Sequence, residues 1–312
     1  MSSRGKLRIA SSFSLILGVI SACAAPLATR ADEPQAEITH AFFATGATTY
    51  IRDGAGKTVW TYPAGTRDGW LLPEGRLLLT LTKSAEYPGG GVVLVDRAGK
   101  VHFKYQGTQS EVNTSQRLEN GRIMLTEAGD RPRLLEVDLD GKIAVEVPLQ
   151  AQTKDHHLQT RMARKLPNGN YLVPQLLDKV VREYTPRGAV VWELKTPNMP
   201  FTAIRLENGN TLVGCTLGNL VIEANPARAI VWTLSNDDLP GKPIRDACGV
   251  QRLPNGNTVV TSYQAPGNDV KLFEVTPAKR IVWTHRDPKS PGIHHFQILD
   301  TNGLPVAWPP LR

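Results

Sequence analysis

Histidine and arginine side chains carry most of the reactive chemistry that this sequence of 312 residues offers. Four of the histidines form two adjacent pairs, His156-His157 and His294-His295. An imidazole can accept a proton, bind a metal ion or act as a nucleophile. Neighbouring residues of a strand point to opposite faces, so only one of His294 and His295 can face a given site. We take His294 with Arg161 as the candidate catalytic pair, and His157 and His295 as candidate ligand contacts.

Oxygen ligands and a thiol provide two further candidates. Glu111, Asn113 and Asp246 carry the carboxylate and amide oxygens that divalent cations prefer, and are therefore the candidate metal ligands. Cys248 is a candidate nucleophile. It can equally be a small buried side chain or half of a disulfide with Cys215, and the sequence leaves that choice open.

A repeated turn phrase predicts the elements that must position these residues. The phrase is Leu-x-Asn/Glu-Gly, and its glycines are Gly75, Gly121, Gly169, Gly209 and Gly256, with a degenerate copy at Gly303. Their spacings are 46, 48, 40, 47 and 47 residues. Asn-Gly between two β-like runs indicates a hairpin, because both residues tolerate positive φ. Four short strands per repeat of this length are typical of a β-propeller.

The two ends of the repeat region predict how the ring closes. Residues 294–299 and 304–308 read as strands a and b of a sixth unit, and residues 48–51 and 56–60 read as its strands c and d. The sequence thus predicts an all-β, six-bladed propeller in which N-terminal strands complete the last blade and no sheet edge stays open.

Alignment of the six innermost strands predicts the functional site. Five residues before the phrase leucine, or its equivalent, stand Arg67, Asn113, Arg161, Phe201, Cys248 and His294. This ring is polar and differs between blades, whereas a structural repeat would reuse one residue type. We therefore place the site at the mouth of the channel, and its candidate ligand contacts are Arg67, Asp68, Asn113, Gln159, Phe201, His157 and His295. The equivalent basic residues Arg117, Lys165, Arg205 and Arg252 lie at the opposite face, where repeated salt bridges are the preferred interpretation.

The first 31 residues predict export. They contain four basic and no acidic residues, an apolar stretch at 9–20 and a run of small residues at 21–25. This is the pattern of a signal peptide, so we expect a single propeller domain at 32–312 in the periplasm or outside the cell. Cys23 follows Ile20-Ser21-Ala22, so lipidation at Cys23 is the alternative to cleavage after Ala31.

Most of the net charge of +7 belongs to this leader. Without it, 32 basic residues face 29 acidic ones, which leaves a net charge of +3. A charge this small in an exported chain argues against a nucleic-acid partner. We expect a monomer without a transmembrane helix.

Four phrases carry a family resemblance. They are Arg67-Asp-Gly-Trp70 and residues 159–164, 246–251 and 292–297. With the repeat, they resemble secreted bacterial propeller proteins of the pyrroloquinoline-quinone-like and arylsulfotransferase-like type whose activity is unassigned. The resemblance covers residues 48–312. Quinone enzymes of this type have eight blades and vicinal cysteines, so this cofactor is not expected here. Arylsulfotransferase propellers use a channel histidine with a nearby arginine, to which His294 with Arg161 is similar.

The expected function is therefore a binding or interaction module. Its channel mouth would hold a small or extended polar ligand, or another extracytoplasmic protein. The alternative is an enzyme at the same site, either a histidine-dependent sulfotransferase or a metal-dependent hydrolase or lactonase. The identity of the ligand stays open.

Overall fold

The chain forms a ring of six antiparallel sheets, which confirms the six-bladed β-propeller. The computed structural model describes residues 37–289 and 292–312, so the predicted leader and Cys23 lie outside the described residues. In these two ranges the helical segments are the short 3-10 turns His156–Leu158 and Asn236–Asp238. No helix there has the length and apolar character needed to cross a membrane.

The strands follow one another with short connections. In chain order they are β1 (His40–Thr45), β2 (Thr49–Arg52), β3 (Thr58–Tyr62), β4 (Thr66–Leu71), β5 (Leu77–Leu81), β6 (Gly91–Val95), β7 (Val101–Gln106), β8 (Glu111–Arg117), β9 (Ile123–Ala128), β10 (Arg133–Val137), β11 (Ile143–Pro148), β12 (Arg164–Lys165), β13 (Tyr171–Gln175), β14 (Val180–Tyr184), β15 (Val190–Lys195), β16 (Pro200–Arg205), β17 (Thr211–Cys215), β18 (Leu220–Ala224), β19 (Ile230–Ser235), β20 (Val250–Arg252), β21 (Thr258–Thr261), β22 (Val270–Val275), β23 (Ile281–Arg286), β24 (His295–Thr301) and β25 (Leu304–Pro305). Blades 1 to 5 use β4 to β23, four consecutive strands each, and blade 6 combines β24 and β25 with β1, β2 and β3.

Blade 6 corrects one detail of the predicted ring closure. Its strand b is β1, which pairs along its length with β24, and residues 304–308 do not fill that place. Instead β25 pairs with the far end of β24 as a short fifth strand. The N-terminal segment thus contributes three strands to the last blade, where the sequence predicted two. The closure itself is as predicted.

Burial explains the hydrophobicity of the middle strands. Strands b and c, such as β5 with five consecutive buried residues, are covered on both faces by the neighbouring blades. Continuous apolar runs are typical of strands buried on both faces. The outermost strands, such as β15, are mostly partly buried or exposed. The core is accordingly a series of clusters between successive blades.

The residue that directly follows the hairpin phrase has a role of its own, because it binds an acidic residue that links two blades. Asn170 donates to Glu183 Oε1 at 2.7 Å, and Arg205 of the next blade donates to Glu183 Oε2 at 2.9 Å. The same unit recurs as Asn210–Glu223–Arg252, as Asn257–Glu274–His40 and, with an arginine in the turn, as Arg122–Glu136–Lys165. Three of the four basic residues at the face opposite the mouth are therefore parts of repeated salt bridges, namely Lys165, Arg205 and Arg252.

Arg117 is the exception to this pattern. The equivalent acidic position in blade 1 is Leu94, which lies in an apolar cluster between blades 1 and 2. Within the described residues the buried Nη1 of Arg117 has no hydrogen-bond partner. Burial lowers the pKa of Arg117, and the opposing attraction of Glu74 does not outweigh it.

Tryptophans on the outer strands dock each blade on the next. The indole N–H of Trp192 donates to the carbonyl of Pro226 at 3.1 Å, and that of Trp232 donates to Pro277 at 3.0 Å. Trp60 makes the equivalent bond to Arg97. Packing between blades thus accounts for these tryptophans without any cofactor.

The repeated salt bridge predicts a contrast between two arginines. We expect Arg252→Met to lower the free energy of unfolding by about 1–3 kcal/mol, because it leaves the carboxylate of Glu223 without its cation. Arg117→Met should cost less than about 0.5 kcal/mol or stabilise the protein, because no described carboxylate loses its partner. Urea unfolding of both variants measures the difference. Equal losses in the two variants would contradict this interpretation.

Candidate functional site

β-Bulges place the ring residues at the channel mouth. Arg67, Asn113 and Phe201 are each the extra residue where the register of the innermost strand shifts. Arg161 lies between the isolated bridges of Thr160 and Met162. A bulge bends its strand and re-aims a side chain. The same local distortion in blades 1, 2 and 4 thus presents a different side chain to the channel in each of them.

Glu111 organises the cationic side of the mouth. Nδ1 of His157 donates to both oxygens of its carboxylate, at 3.0 and 3.1 Å. Arg67 Nη2 lies 3.1 Å and Lys83 Nζ 3.5 Å from the same carboxylate. These partners outweigh the effect of burial and lower the pKa of Glu111 to about 2. Glu111 is therefore ionised at neutral pH, and its charge is shared between several cations.

Arg161 is a buried cation without an acidic partner. Its side chain is 2% exposed, and its Nη1 donates to the carbonyl of Thr160 at 2.7 Å. Its buried Nε has no hydrogen-bond partner and, among the described residues, no carboxylate lies within ion-pair distance. The guanidinium faces the ring of Phe201 at 5.7 Å. Burial, together with repulsion by Arg67, lowers the pKa of Arg161 to about 9, so the group is still charged at neutral pH.

His294 presents an unprotonated nitrogen to the same space. Its Nδ1 lies 3.1 Å from the carbonyl oxygen of Arg67, and because a carbonyl only accepts, Nδ1 carries the proton. The ring packs edge-on against Phe201 and Tyr263 at 4.7 and 5.0 Å between centroids. Burial and the charge of Arg161 lower the pKa of His294 to about 3. The Nε2 atom is therefore unprotonated at neutral pH.

Asp68 holds the layer below the mouth together. Its carboxylate is buried and accepts hydrogen bonds from Arg164 at 2.8 Å, Arg312 at 3.0 Å and Thr114 at 2.6 Å. The two guanidiniums outweigh burial and hold the pKa of Asp68 well below its usual range. Arg312 also donates to Nδ1 of His295 at 2.6 Å. This buried network closes the channel beneath the ring.

The two histidines of the second pair face different layers. His294 contacts the mouth, and His295 belongs to the Asp68 network, as the alternation along a strand predicts. Gln159 also has a structural role, since its amide exchanges hydrogen bonds with the backbone of Gly129 at 2.9 and 3.0 Å. Asn113 is fully buried, and neither atom of its amide has a hydrogen-bond partner in the described chain. Asp68, His295 and Gln159 therefore all make contacts within the scaffold, and their role as ligand contacts stays a prediction.

The structure offers no support for the predicted metal set. In the described ranges no group of three or more His, Cys, Asp or Glu residues is arranged to hold a metal ion. The carboxylate of Asp246 accepts the N–H of Leu217 at 2.7 Å, whereas that of Glu111 is held by Arg67, Lys83 and His157. Binding of a divalent metal by Glu111, Asn113 and Asp246 stays a prediction.

The two cysteines are free and buried. Burial raises the pKa of Cys248 to about 12, and that of Cys215 likewise to about 12. The thiol of Cys248 lies 3.5 Å from the hydroxyl of Thr216. A thiol that stays protonated at neutral pH is a poor nucleophile, which argues against the catalytic role considered for Cys248.

A serine, a histidine and an aspartate meet at the rim beside the mouth. Ser110 Oγ lies 2.6 Å from Nδ1 of His156, whose Nε2 lies 3.1 Å from Asp130. The side chain of Asp130 is 95% exposed, so water competes for its hydrogen bond. Together with the Glu111–His157 pair, these contacts tie two neighbouring loops of the rim together.

Sequence reasoning missed four residues of the two layers. Arg164 and Arg312 complete the Asp68 network, while Tyr263 and Lys83 border the mouth. Arg312 lies beyond the repeat and Lys83 and Tyr263 lie on loops between strands b and c, so the strand alignment gave no signal for these three. Arg164 does lie on an aligned strand, and the sequence signal for it was its place in the phrase 159–164.

Two grooves lie away from the mouth. One, of about 310 Å³, is bordered by Tyr62, Arg52 and Asp287, and the other, of about 380 Å³, by Arg252, Leu253 and Pro310. Neither is lined by Arg161 or His294.

Comparisons with known proteins confirm the fold. No protein-family model and no curated protein matches the chain. A protein of unknown function from Bacteroides caccae has a similar structure, with a TM-score of 0.74 at 22% identity, over 83% of this chain and 98% of that one. A catalytically inactive virginiamycin B lyase from Staphylococcus aureus, solved with quinupristin, gives 0.58 at 14% identity over 83% and 92% of the two chains. At these identities the likeness shows a shared propeller fold, and the quinone-like or arylsulfotransferase-like type stays a prediction.

The two buried layers predict opposite effects on stability. Asp68→Asn should lower the free energy of unfolding by about 3–5 kcal/mol, because it leaves two buried guanidiniums without a counter-charge. Arg161→Met should leave stability unchanged or raise it by about 1 kcal/mol, because it removes a buried charge that has no acidic partner. Thermal and urea unfolding of both variants test this. A large loss in Arg161→Met would assign Arg161 to the scaffold.

Proposed function

We propose that this protein is an extracytoplasmic binding module that takes an anionic group of a small or extended ligand into the channel mouth. The observation that carries the proposal is the buried guanidinium of Arg161, whose Nε has no partner within the described chain. A buried charge is costly unless it is paired. An anion from outside would supply the missing partner. The signal-peptide pattern of residues 1–31 supports the extracytoplasmic part of the proposal.

The surroundings of Arg161 favour an anion over a cation. Arg67 and Lys83 contribute further positive charge, and Glu111, whose carboxylate attracts Arg161 without contacting it, is already shared between them and His157. The closed layer around Asp68 leaves the upper face as the route of access. The ligand therefore enters from the face formed by the loops of the rim.

Anion binding should depend on Arg161. We expect small carboxylates, sulfate and phosphate to bind more tightly than the corresponding amides and alcohols in calorimetric titrations at low salt. Arg161→Met should weaken binding by about 10–100-fold, the equivalent of losing one charge-assisted hydrogen bond. Arg117→Met is the matched control, since it removes an arginine at the opposite face and should leave affinity unchanged. Anion binding that survives in Arg161→Met would place the ligand elsewhere.

A second candidate function is catalysis at the same mouth, and one observation favours it. The bond from His294 Nδ1 to the carbonyl of Arg67 directs the unprotonated Nε2 away from that carbonyl. An anion bound at Arg161 would offset the repulsion that lowers the pKa of His294 and so make Nε2 a stronger base. Such a group can remove a proton or attack an acyl or sulfuryl centre. One of the similar structures is a lyase, which shows that this fold can carry an enzyme.

Catalysis by His294 is tested by an activity screen. Metal analysis of the purified protein is followed by assays for sulfatase, sulfotransferase, esterase and lactonase activity. If the site is catalytic, His294→Ala should lower turnover at least 100-fold, while His157→Ala, which removes an imidazole bound to Glu111, keeps most of it. Absence of turnover in the wild type, or equal turnover in His294→Ala, would leave binding as the function.

A further inference from the structure

An apolar cluster includes the ring residue Phe201 at the mouth. Met162, Leu176 and Met199 form a buried cluster with Phe201 and Cys248, and Leu158 and Tyr263 pack partly buried against it. This cluster continues the ring, because Phe201 also faces Arg161. The mouth thus joins a buried cation to an apolar wall.

Two leucines extend this wall to the surface. Leu177 is 45% exposed, and its N–H donates to the carbonyl of Leu158 at the edge of the cluster. Leu217 is 59% exposed and follows Thr216, whose hydroxyl contacts the thiol of Cys248. Both lie on loops between strands b and c, in the neighbouring blades 3 and 4. Both exposed leucines therefore lie on rim loops that adjoin the apolar cluster.

The backbone at Leu217 is strained in a way that keeps this side chain in place. Its φ is 56°, a conformation that costs a residue with a side chain about 1–2 kcal/mol. The carboxylate of Asp246 holds it by accepting its N–H at 2.7 Å, and Asp246 itself has a φ of 60°. Strain of this kind clusters at ligand clamps, where the surroundings enforce it. Glycine or asparagine at position 217 would relieve the backbone strain, whereas leucine keeps it and places an exposed apolar side chain at the rim.

We propose that the ligand is a small amphipathic anion, with a compact anionic head at Arg161 and an aliphatic chain that leaves the mouth over Leu177 and Leu217. This inference rests on the proposed binding function and specifies its ligand class. The head matches the uncompensated charge of Arg161. The aliphatic chain matches a wall made of leucine and methionine.

A chain-length series tests the ligand class. Alkanoates of four to ten carbons, used below the concentrations at which they form micelles, are titrated calorimetrically alongside acetate, octyl sulfate and octanol. We expect affinity to rise about three- to fourfold for each added methylene that contacts the wall. Octyl sulfate should bind like the alkanoates of similar length, and octanol at least tenfold more weakly.

Variants of the rim show where the chain lies. Leu177→Asn and Leu217→Asn should remove most of the dependence on chain length while leaving acetate binding unchanged, and asparagine tolerates the positive φ at position 217. Leu139→Asn is the matched control, because Leu139 is equally 45% exposed but lies in a turn at the opposite face, and it should change nothing. Melting temperatures confirm that the variants fold.

The possible failures are distinguishable. Arg161-dependent binding of acetate with no gain from longer chains would overturn the amphipathic ligand and leave the proposed anion site standing. A chain-length effect that persists in both rim variants, or that Leu139→Asn also removes, would overturn the assignment of the chain to this rim. Binding of no anion at all would overturn the proposed function together with this inference.

Discussion

The buried carboxylate of Asp68 is the interaction on which the rest of the channel depends. It joins Arg164 of blade 3 and Arg312 to the innermost strand of blade 1, over 96 and 244 residues of sequence. Two buried guanidiniums are tolerable only because this one carboxylate, with its lowered pKa, compensates them. With this layer in place the channel is blocked below the ring, and the bulged residues above it stand on a fixed support.

Repetition separates the scaffold from the site. The acidic residue of strand c meets the turn of its own blade and a basic residue of the next blade in four of the interfaces between blades. Residues that recur from blade to blade thus have the same structural role at each interface. At the mouth the bulge is repeated but the side chain is not, so Arg67, Asn113 and Phe201 share a backbone geometry and differ in chemistry. A rigid ring built this way can vary its site without changing its fold.

The same distinction explains what the sequence could reveal. The hairpin phrase and its spacing are local signals, so they predicted the blades, the ring positions and the alternation of His294 and His295. No such phrase precedes strand β1, so the sequence predicts residues 304–308 as strand b of the last blade, where the structure has β1. The role of Arg312 depends on a contact with Asp68 across the whole chain, and no local pattern encodes it. The orientation of the metal candidate Asp246 depends on a tertiary contact as well, because its carboxylate accepts the N–H of Leu217, which sequence spacing cannot show.

Two kinds of buried arginine remain, and their difference bears on function. Arg164 and Arg312 are paired with Asp68, whereas Arg161 rests on one carbonyl and an aromatic ring. Desolvation of an unpaired guanidinium lowers the stability of the free protein, and its lowered pKa expresses that cost. A ligand that brings a negative charge to Arg161 recovers this free energy on binding. Under the proposed function, the free-energy cost of burying the guanidinium of Arg161 without an ion pair would therefore be a source of affinity for an anion.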